Sequence, residues 1–383
     1  MTLPEVTFYD YDPYEGKMAS YKVIDDYESL IWHEKFIEAG DFELYLVATP
    51  NILSEIIPLT FVGIPDSDTF MMIEKIELKQ EAGKADHIII SGRDWRALLQ
   101  SRVFWDAIYG STSKKVYDIL KRIIDNETNY SHYLFEKYEW YEPLQRYIAN
   151  SNFVIDSIDD SIKDLYLEDD ESAEYIQRWM EDTTLYDEIL NLCTRFGIGW
   201  KMYESSDGHI HVKFYKGKNR TTEQNENLAV IFSRKFENIL SFKYTSDYTN
   251  YKNDGYVDMV TTAGNIWNKT EIYDTYHGLN RREVYILWDI TGYYQPYMTT
   301  EEIDKLSKSY GRMSLAYNYC SEDKTECEIE QNDTNFIFKK DYYIGDIVET
   351  ESQFGIVKEL TCSGSTISYD TNGFTIIPEF EEY

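Results

Sequence analysis

"SLIWHEKFIEAGDFELYLVAT", residues 29–49, raises a choice between a metal helix and a strand–turn–strand unit. His33-Glu34 could begin the zinc-protease pattern H-E-x-x-H, in which two imidazoles one helical turn apart share a face and reach one metal ion. The fourth residue after His33 is Ile37, so the pattern fails. Phe42, Leu44 and Leu46 alternate with Glu43 and Tyr45, which is strand period. Gly40-Asp41 before them is a turn signal: glycine reaches backbone angles a tight turn needs, and aspartate can hydrogen-bond its own turn. The expectation is strand, turn, strand, with Phe42 and Leu44 facing a core and His33 on a half-exposed strand.

Working outward, the 383 residues suggest two or three domains, and 43% hydrophobic with 16% aromatic residues is ample for real cores. No apolar run approaches bilayer-spanning length. The opening MTLPEVTFYDYD has neither a basic nor an apolar leader region, so no signal peptide is expected. Cys193, Cys320, Cys327 and Cys362 follow no zinc-pair spacing and read as free thiols of a protein made in a reducing cytoplasm.

The net charge is −32, from 69 acids and 37 bases. Residues 1–100, 101–200 and 301–383 carry −11, −10 and −11, whereas 201–300 hold 12 acids and 12 bases. Such a field repels phosphate backbones and argues against sequence-specific nucleic-acid binding. It remains compatible with a duct that DNA passes without sticking. The 35 tyrosines suit interfaces and sugar-facing surfaces, or reflect the codon habit of an AT-rich genome.

Three stretches of different character follow along the chain. The first hundred residues read mostly as strands, with a short helix at "NILSEIIP" (51–58) capped by Asn51 and stopped by Pro58. "EAGKA" joins "TFMMIEKIELKQ" to "DHIIISG" as a hairpin, and "GRDWRALLQSR" (92–102) starts a helical turn. The middle is more helical: Val116, Ile119, Leu120, Ile123 and Ile124 share a face behind Ser113 as N-cap. So do Leu185, Ile189, Leu192, Cys193 and Phe196, with Gly197 as a terminating glycine. Two strands then meet around Asp207-Gly208. From about 226 strands return at "LAVIFS", "ILSFKYTS", "GYVDMVTTAG", "REVYILWDI", "NFIFKK", "IGDIVETES", "FGIVKELTCSG" and "GFTIIPEF". A helix at 299–311 interrupts them, with a capping box at Thr299 and Glu302.

Chemistry-bearing patterns are few. There is no G-x-S-x-G elbow and no P-loop. His209 and His211 share a strand face without an identifiable third ligand, so no metal is assigned. The segment 156–188 carries 13 acids and two bases but not the glycine and ligand alternation of a calcium loop, so it reads as a solvated acidic face. Carboxylate pairs are too common to argue a glycosidase, whose two acids need about 5–9 Å between them across a cleft. No catalytic residue and no cofactor is assigned.

Four blocks in order carry a resemblance: Ser29-Leu30-Ile31-Trp32 followed by Gly40-Asp41-Phe42-Glu43-Leu44; "MIEKIEL" (72–78); Gly92-Arg93 within "GRDWRALLQSR"; and Gly345-Asp346 within "DYYIGDIVET" (341–350). Together they resemble the signature of a family of tail-tip hub proteins of long-tailed phages of Gram-positive hosts, similar to myophage baseplate hubs and to the N-terminal part of tail-associated lysins. The resemblance covers 1–110 well and 225–365 in pattern; segment 126–182 has no counterpart in it. It implies an α+β, mainly β fold: an N-terminal β-barrel domain (1–110), an α/β domain with the acidic segment (111–225) and a second β-barrel domain (226–383) with a helical insertion near 299–312. It implies a homotrimer whose six barrels form a pseudo-sixfold ring continuing the tail tube. Expected partners are the distal tail protein, the tape-measure protein and receptor-binding or spike proteins. Genomic DNA would pass through the lumen without specific binding, in a virion component made in the host cytoplasm. Some relatives add a hydrolase or spike after the hub; this chain ends at Tyr383, directly after the last expected strands. A structural hub without its own enzyme is therefore expected, with a cell-wall hydrolase or a host-glycan-binding module as the rival readings.

Overall fold

The computed structural model describes residues 3–12, 17–80, 82–83, 85–101, 115–124, 138–141, 146–149, 153–155, 160–163, 165, 184–204, 210–260, 266–273, 275–289, 299–329, 336–370 and 373–382. The first stretch is seven strands: β1 (Val6–Asp12), β2 (Lys17–Ile24), β3 (Ser29–Lys35), β4 (Asp41–Val47), β5 (Phe61–Gly63), β6 (Met71–Lys79) and β7 (His87–Asp94). Helix α1 (Pro50–Glu55) lies between β4 and β5. Its cap is Thr49, whose hydroxyl accepts from Ile52 N, with Pro50 opening the helix; the expected cap Asn51 lies two residues later, inside the helix. A 3-10 helix, Trp95–Ser101, follows β7.

The middle stretch holds α2 (Val116–Ile124), β8 (Tyr138–Tyr141), β9 (Arg146–Ala149), β10 (Phe153–Ile155), α3 (Asp160–Lys163), α4 (Leu185–Phe196), β11 (Gly199–Glu204) and β12 (Ile210–Tyr215). Gly197 ends α4 in the left-handed conformation, φ 57° and ψ 47°, and its N–H returns to the helix carbonyls. Strands β11 and β12 are antiparallel, and β10 joins β12 in parallel. The expected cap Ser113, the Asp207-Gly208 turn and most of 156–188 lie outside the described residues.

The last stretch holds β13 (Ile231–Ser233), β14 (Ile239–Asp247), β15 (Asp254–Val260), β16 (Ile266–Glu271), β17 (Glu283–Asp289), α5 (Thr300–Asn318), β18 (Glu322–Ile329), β19 (Ile347–Glu351), β20 (Val357–Asp370) and β21 (Gly373–Glu381). The capping box of α5 forms with both bonds present, and the helix runs on to Asn318, beyond the expected 311. It packs Ile303, Leu306 and Leu315 against Val257, Met259 and Trp288 of β15 and β17. The described part of "NFIFKK", residues 336–340, is not a strand but leads into a turn closed by a bridge between Phe338 and Tyr342.

The fold is mainly β. Hydrogen bonding joins the first and last stretches into one eleven-stranded sheet, in the order β13-β19-β20-β3-β4-β7-β6-β5-β1-β2 with β21 on β20. Two related β-barrel domains in a mainly β fold are expected from sequence; the mainly β character agrees, and among the described residues the sheet order has ends at β13 and β2 with no closed barrel. The two halves are joined through β20, fourteen residues long. Its first part pairs with β19 and contributes Leu360 and Cys362 to a core with Phe232, Tyr342 and Phe380. Its second part pairs with β3 and contributes Ile367 and Tyr369 to a core with Leu30, Trp32, Phe42 and Leu44. The register against β21 shifts between Cys362 and Gly364, where the strand passes from one core to the other. A third core, from Trp95 through α2 and α4 to Trp200 and Phe214, fastens the middle stretch to the sheet.

Candidate functional site

The turn between β3 and β4 is where these cores meet. Strand alternation stops after Lys35, and both Phe36 and Ile37 turn inward. Six polar backbone groups of the turn then find partners on other elements, as buried amides require. Phe36 N donates to Ser363 O of β20 at 2.7 Å, and Phe36 O accepts from Trp200 N of β11 at 3.2 Å. The Trp200 indole donates to Ile37 O at 2.8 Å, and Ala39 N donates to the Tyr186 hydroxyl of α4 at 2.7 Å. Gly40 N donates to Asp94 Oδ2 at 2.6 Å while Asp94 N donates back to Gly40 O at 2.9 Å.

Asp94 is fully buried and holds Arg96, which is also buried. The guanidinium satisfies its donors: Nε faces both Asp94 oxygens at 3.1 and 3.0 Å, and Nη2 reaches Asp94 Oδ2 at 2.7 Å and Lys35 O at 3.0 Å. Nη1 reaches Trp200 O at 2.7 Å, with the group 5.2 Å from the Trp200 ring centre. Burial pulls the Arg96 pKa down, and the charge and hydrogen bonds of Asp94 more than offset it, leaving it above the ordinary arginine value. Trp95, between the two, donates its indole N–H to Met202 O at 3.1 Å. The Asp94–Arg96 pair thus ties β7, the 36–40 turn and β11 together.

A second aspartate does the same work at the far end of the chain. Asp346 accepts from Lys218 N at 2.7 Å, Tyr343 N at 3.1 Å and Arg220 Nε at 2.5 Å. Gly345 before it has φ 95°, a left-handed angle that favours glycine, and a β-carbon there would sit 2.5 Å from the Phe36 ring. The same Cε2–Cδ2 edge of that ring also meets Gly199, where a β-carbon would lie 1.9 Å away, and Tyr215 stands edge-on at 5.4 Å. Phe36 is therefore the pin between the sheet, β11 and the Asp346 turn.

The residues singled out from sequence fall on this frame and around it. Trp32, Phe42 and Leu44 are buried, the Trp32 and Phe42 rings 5.8 Å apart, and Glu43 points to solvent. Gly40 and Gly92 are both places of close backbone approach: a β-carbon would come 2.0 Å from His33 O and 1.8 Å from Met72 O. Neither lies at positive φ, so the expected role of Gly40 through its dihedral freedom is corrected to one through contact. Asp41 does not bond its own turn. Its Oδ1 lies 2.6 Å from His33 Nδ1, so His33 has a partner, and Asp94 closes the turn instead. Arg93 forks onto Glu74 at 2.8 and 2.6 Å and reaches Gln100 at 2.6 Å. Gly40 meets the Asp94 node directly, whereas Gly345 and Asp346 join it through Phe36.

Phe36, Asp94, Arg96, Gly199 and Arg220 were not singled out from sequence. The signal for Asp94-x-Arg96 is two charges at the end of an apolar strand, but the groups they serve are 54 and 104 residues away. Among the described residues no three His, Cys, Asp or Glu side chains gather as a metal site would need; His209 lies outside them, and His211 is 5.4 Å from the Tyr203 ring. Glu188, in the segment expected to face solvent, is buried, and burial followed by the Asp187 charge pushes its pKa up to about 7.

No curated protein matches the chain. Similar solved structures include the tail protein from Neisseria meningitidis MC58, at 12% identity over 99% of this chain and 97% of that one with a TM-score of 0.49. The 43 kDa tail protein of prophage MuSo2 from Shewanella oneidensis is 11% identical over 98% and 96%, TM-score 0.49. Prophage tail protein gp18 from Listeria monocytogenes EGD-e is 11% identical over 99% and 94%, TM-score 0.47. With residues 12–380 matching the family model of the Siphovirus ReqiPepy6 Gp37-like protein, the chain belongs to that family.

Proposed function

We propose that the chain is a structural hub of the tail tip, three copies of which close a ring that continues the tail tube and anchors receptor-binding or spike proteins. The observation that carries this reading is the joint around Phe36 in a member of this family. Among the described residues the most deeply buried ion pairs, Asp94–Arg96 and Asp346–Arg220, hold β7, the 36–40 turn and β11 together and tie residues 218–220 to the 343–346 turn. Charges engaged in this way stiffen a building block and are not free for acid–base work. In such a ring part of the acidic surface lines the lumen. DNA carries one charge per ~1.7 Å of axis, so an acidic wall repels it and keeps it moving, while a basic wall would hold it. The near-neutral residues 201–300 then suit contacts between proteins.

Two measurements test the reading. Antibodies to the chain on intact virions should label the tail tip, and the purified chain should have the mass of three copies. Label on the capsid, or a chain that stays monomeric at all concentrations, would remove the hub. Incubation with purified Gram-positive cell walls separates the hydrolase reading: release of sugars or amines that vanishes on mutating one carboxylate would make the chain an enzyme. In a structure of the assembled ring, a lumen lined mainly by Lys and Arg would sink the electrostatic part alone.

A further inference from the structure

The chain carries nearly two acids for every base, yet residues 209–222 hold four bases and no acid: Lys213, Lys216, Lys218 and Arg220. Strand β12 runs into this stretch, which continues beside Ile347: Lys218 O accepts from Ile347 N at 3.0 Å, and Arg220 N donates to Ile347 O at 2.8 Å. In so acidic a chain a lysine finds a carboxylate easily. Lys35, Lys75, Lys243, Lys308 and Lys358 each do so at 3.1 Å or less. Among the described residues Lys213, Lys216 and Lys218 have no ion pair. Other lysines without one, such as Lys252 and Lys340, stand singly. Lys213 also stands directly opposite Lys201 in the β11–β12 pair, and like charges so placed oppose the pairing. Lys201 lies 4.0 Å from Asp68, which is 88% exposed. Burial holds the Lys216 amine below the ordinary lysine pKa. Glu349, the acid bordering the run, is taken by Thr222, whose N and hydroxyl donate to it at 3.1 and 2.6 Å.

Arg220 supplies a separate observation. It is only 7% exposed, and of its guanidinium only Nε is engaged, by Asp346. Among the described residues Nη1 and Nη2 have no acceptor, and neither atom is fully enclosed. The forked end of the group is therefore open at the surface, with donors to spare. Such a fork matches a carboxylate in shape and charge.

We propose that this basic run is the docking site for a short acidic segment of another tail protein, whose carboxylates meet Lys213, Lys216, Lys218 and the open fork of Arg220. Charge complementarity sets the sign of the occupant, and the surroundings set its length. From Lys213 to Arg220 the chain reaches at most about 25 Å when extended. Salt screens charges beyond about 8 Å. An acidic segment of the same length meets the bases alone, whereas a longer polyanion such as a nucleic acid runs on to a surface that carries the excess of acids. The assignment rests on the reading of the chain as an anchor for other tail proteins, and it narrows the near-neutral 201–300 surface to one run of residues.

The experiment is fluorescence anisotropy of a labelled octapeptide of glutamates with the purified full chain at low salt. The wild type should bind it, and binding should weaken as salt rises. An octapeptide of glutamines should not bind. Lys216→Gln together with Lys218→Gln should weaken binding about tenfold. Lys252→Gln removes an equally unpaired lysine elsewhere and should leave binding unchanged. Arg220 stays in place because it holds Asp346. Lys213→Gln together with Lys218→Gln gives the same readout by a second route, should the half-buried Lys216 prove necessary for folding. A wild type that does not bind, equal binding of the glutamine peptide, or paired variants that bind as the wild type does would each overturn the site. A single-stranded DNA oligonucleotide that binds more tightly than the peptide, and is released by the same substitutions, would replace the acidic segment by a nucleic acid and overturn the proposal. None of these results touches the hub reading, which stands or falls on the tail-tip label and the mass of three copies.

Discussion

Replacing Gly40 by alanine places a methyl group 2.0 Å from the His33 carbonyl oxygen, where backbone rather than a movable side chain stands in the way. Real β-carbons essentially never come nearer than 3.0 Å, so the turn or β3 must give way by at least the difference of 1.0 Å. The two bonds between Gly40 and Asp94 start at 2.6 and 2.9 Å, and neither survives such a displacement. A hydrogen bond to a buried carboxylate contributes about 1.5–3 kcal/mol and a neutral backbone bond about 1 kcal/mol. Gly40→Ala is therefore expected to destabilise by about 2.5–4 kcal/mol.

The assay is urea unfolding followed by tryptophan fluorescence, because Trp95 and Trp200 both sit on the Asp94–Arg96 node. The midpoint should fall with little change of slope. Glu43→Ala, three residues along and solvent-facing, serves as the control and should stay within about 0.5 kcal/mol of wild type. Asp94→Asn keeps the shape, removes the charge facing Arg96, and should cost about as much as Gly40→Ala. If Gly40→Ala loses less than about 1 kcal/mol, the turn tolerates the methyl group and the close-approach reasoning fails.

Three other outcomes are expected. Phe36→Ala should cost about 3–5 kcal/mol by emptying the space between Gly199 and Gly345, and hydrogen exchange should quicken in both β11 and the 343–347 turn; quickening on one side only would mean that Phe36 is no pin. Asp346→Ala should cost about 3–5 kcal/mol by stranding buried Arg220, and adding Arg220→Met should recover part of it; no recovery would place the cost in the two backbone N–H groups instead. Glu188 binds its proton more tightly folded, at about 7, than at its ordinary 4.5, so its contribution is complete below about pH 4.5 and is lost as pH rises through about 7; the wild-type minus Glu188→Gln difference should change by up to about 3 kcal/mol over that window, and a flat difference refutes the assignment.

What the sequence made legible is local. Alternation from Asp41 to Val47 marked β4, the Thr299–Glu302 pair marked the start of α5, and Gly197 marked the end of α4. Each of these is decided within a few residues of itself. Where two local signals competed, the less familiar one won: Thr49 with Pro50 after it out-caps Asn51. The extent of the sheet was not legible, because the pairing of β20 with β3 joins residues more than 300 apart, and period two says only that a strand has a buried face, not which strand lies beside it. Asp41 was given the turn because it is adjacent, yet the carboxylate that closes it belongs to Asp94, 54 residues on.

The 29–49 segment is a turn with a hydrophobic strand after it, and its buried contacts make it the joint of the molecule. A turn of five residues, 36–40, receives hydrogen bonds from, or gives them to, β7, α4, β11 and β20. None of these can shift by an ångström without breaking a bond whose partner is buried, and the glycines at 199 and 345 leave no slack around the Phe36 ring. The residues that must remain small or charged are thus dictated by elements that approach from elsewhere in the chain: Gly40 by the His33 carbonyl, Gly345 by Phe36, Asp94 by Arg96. A pattern of glycines and aspartates repeated at both ends of a sequence is what such a joint requires, since close backbone approach and buried amides recur at each place where the sheet meets its neighbours. That requirement follows from packing alone.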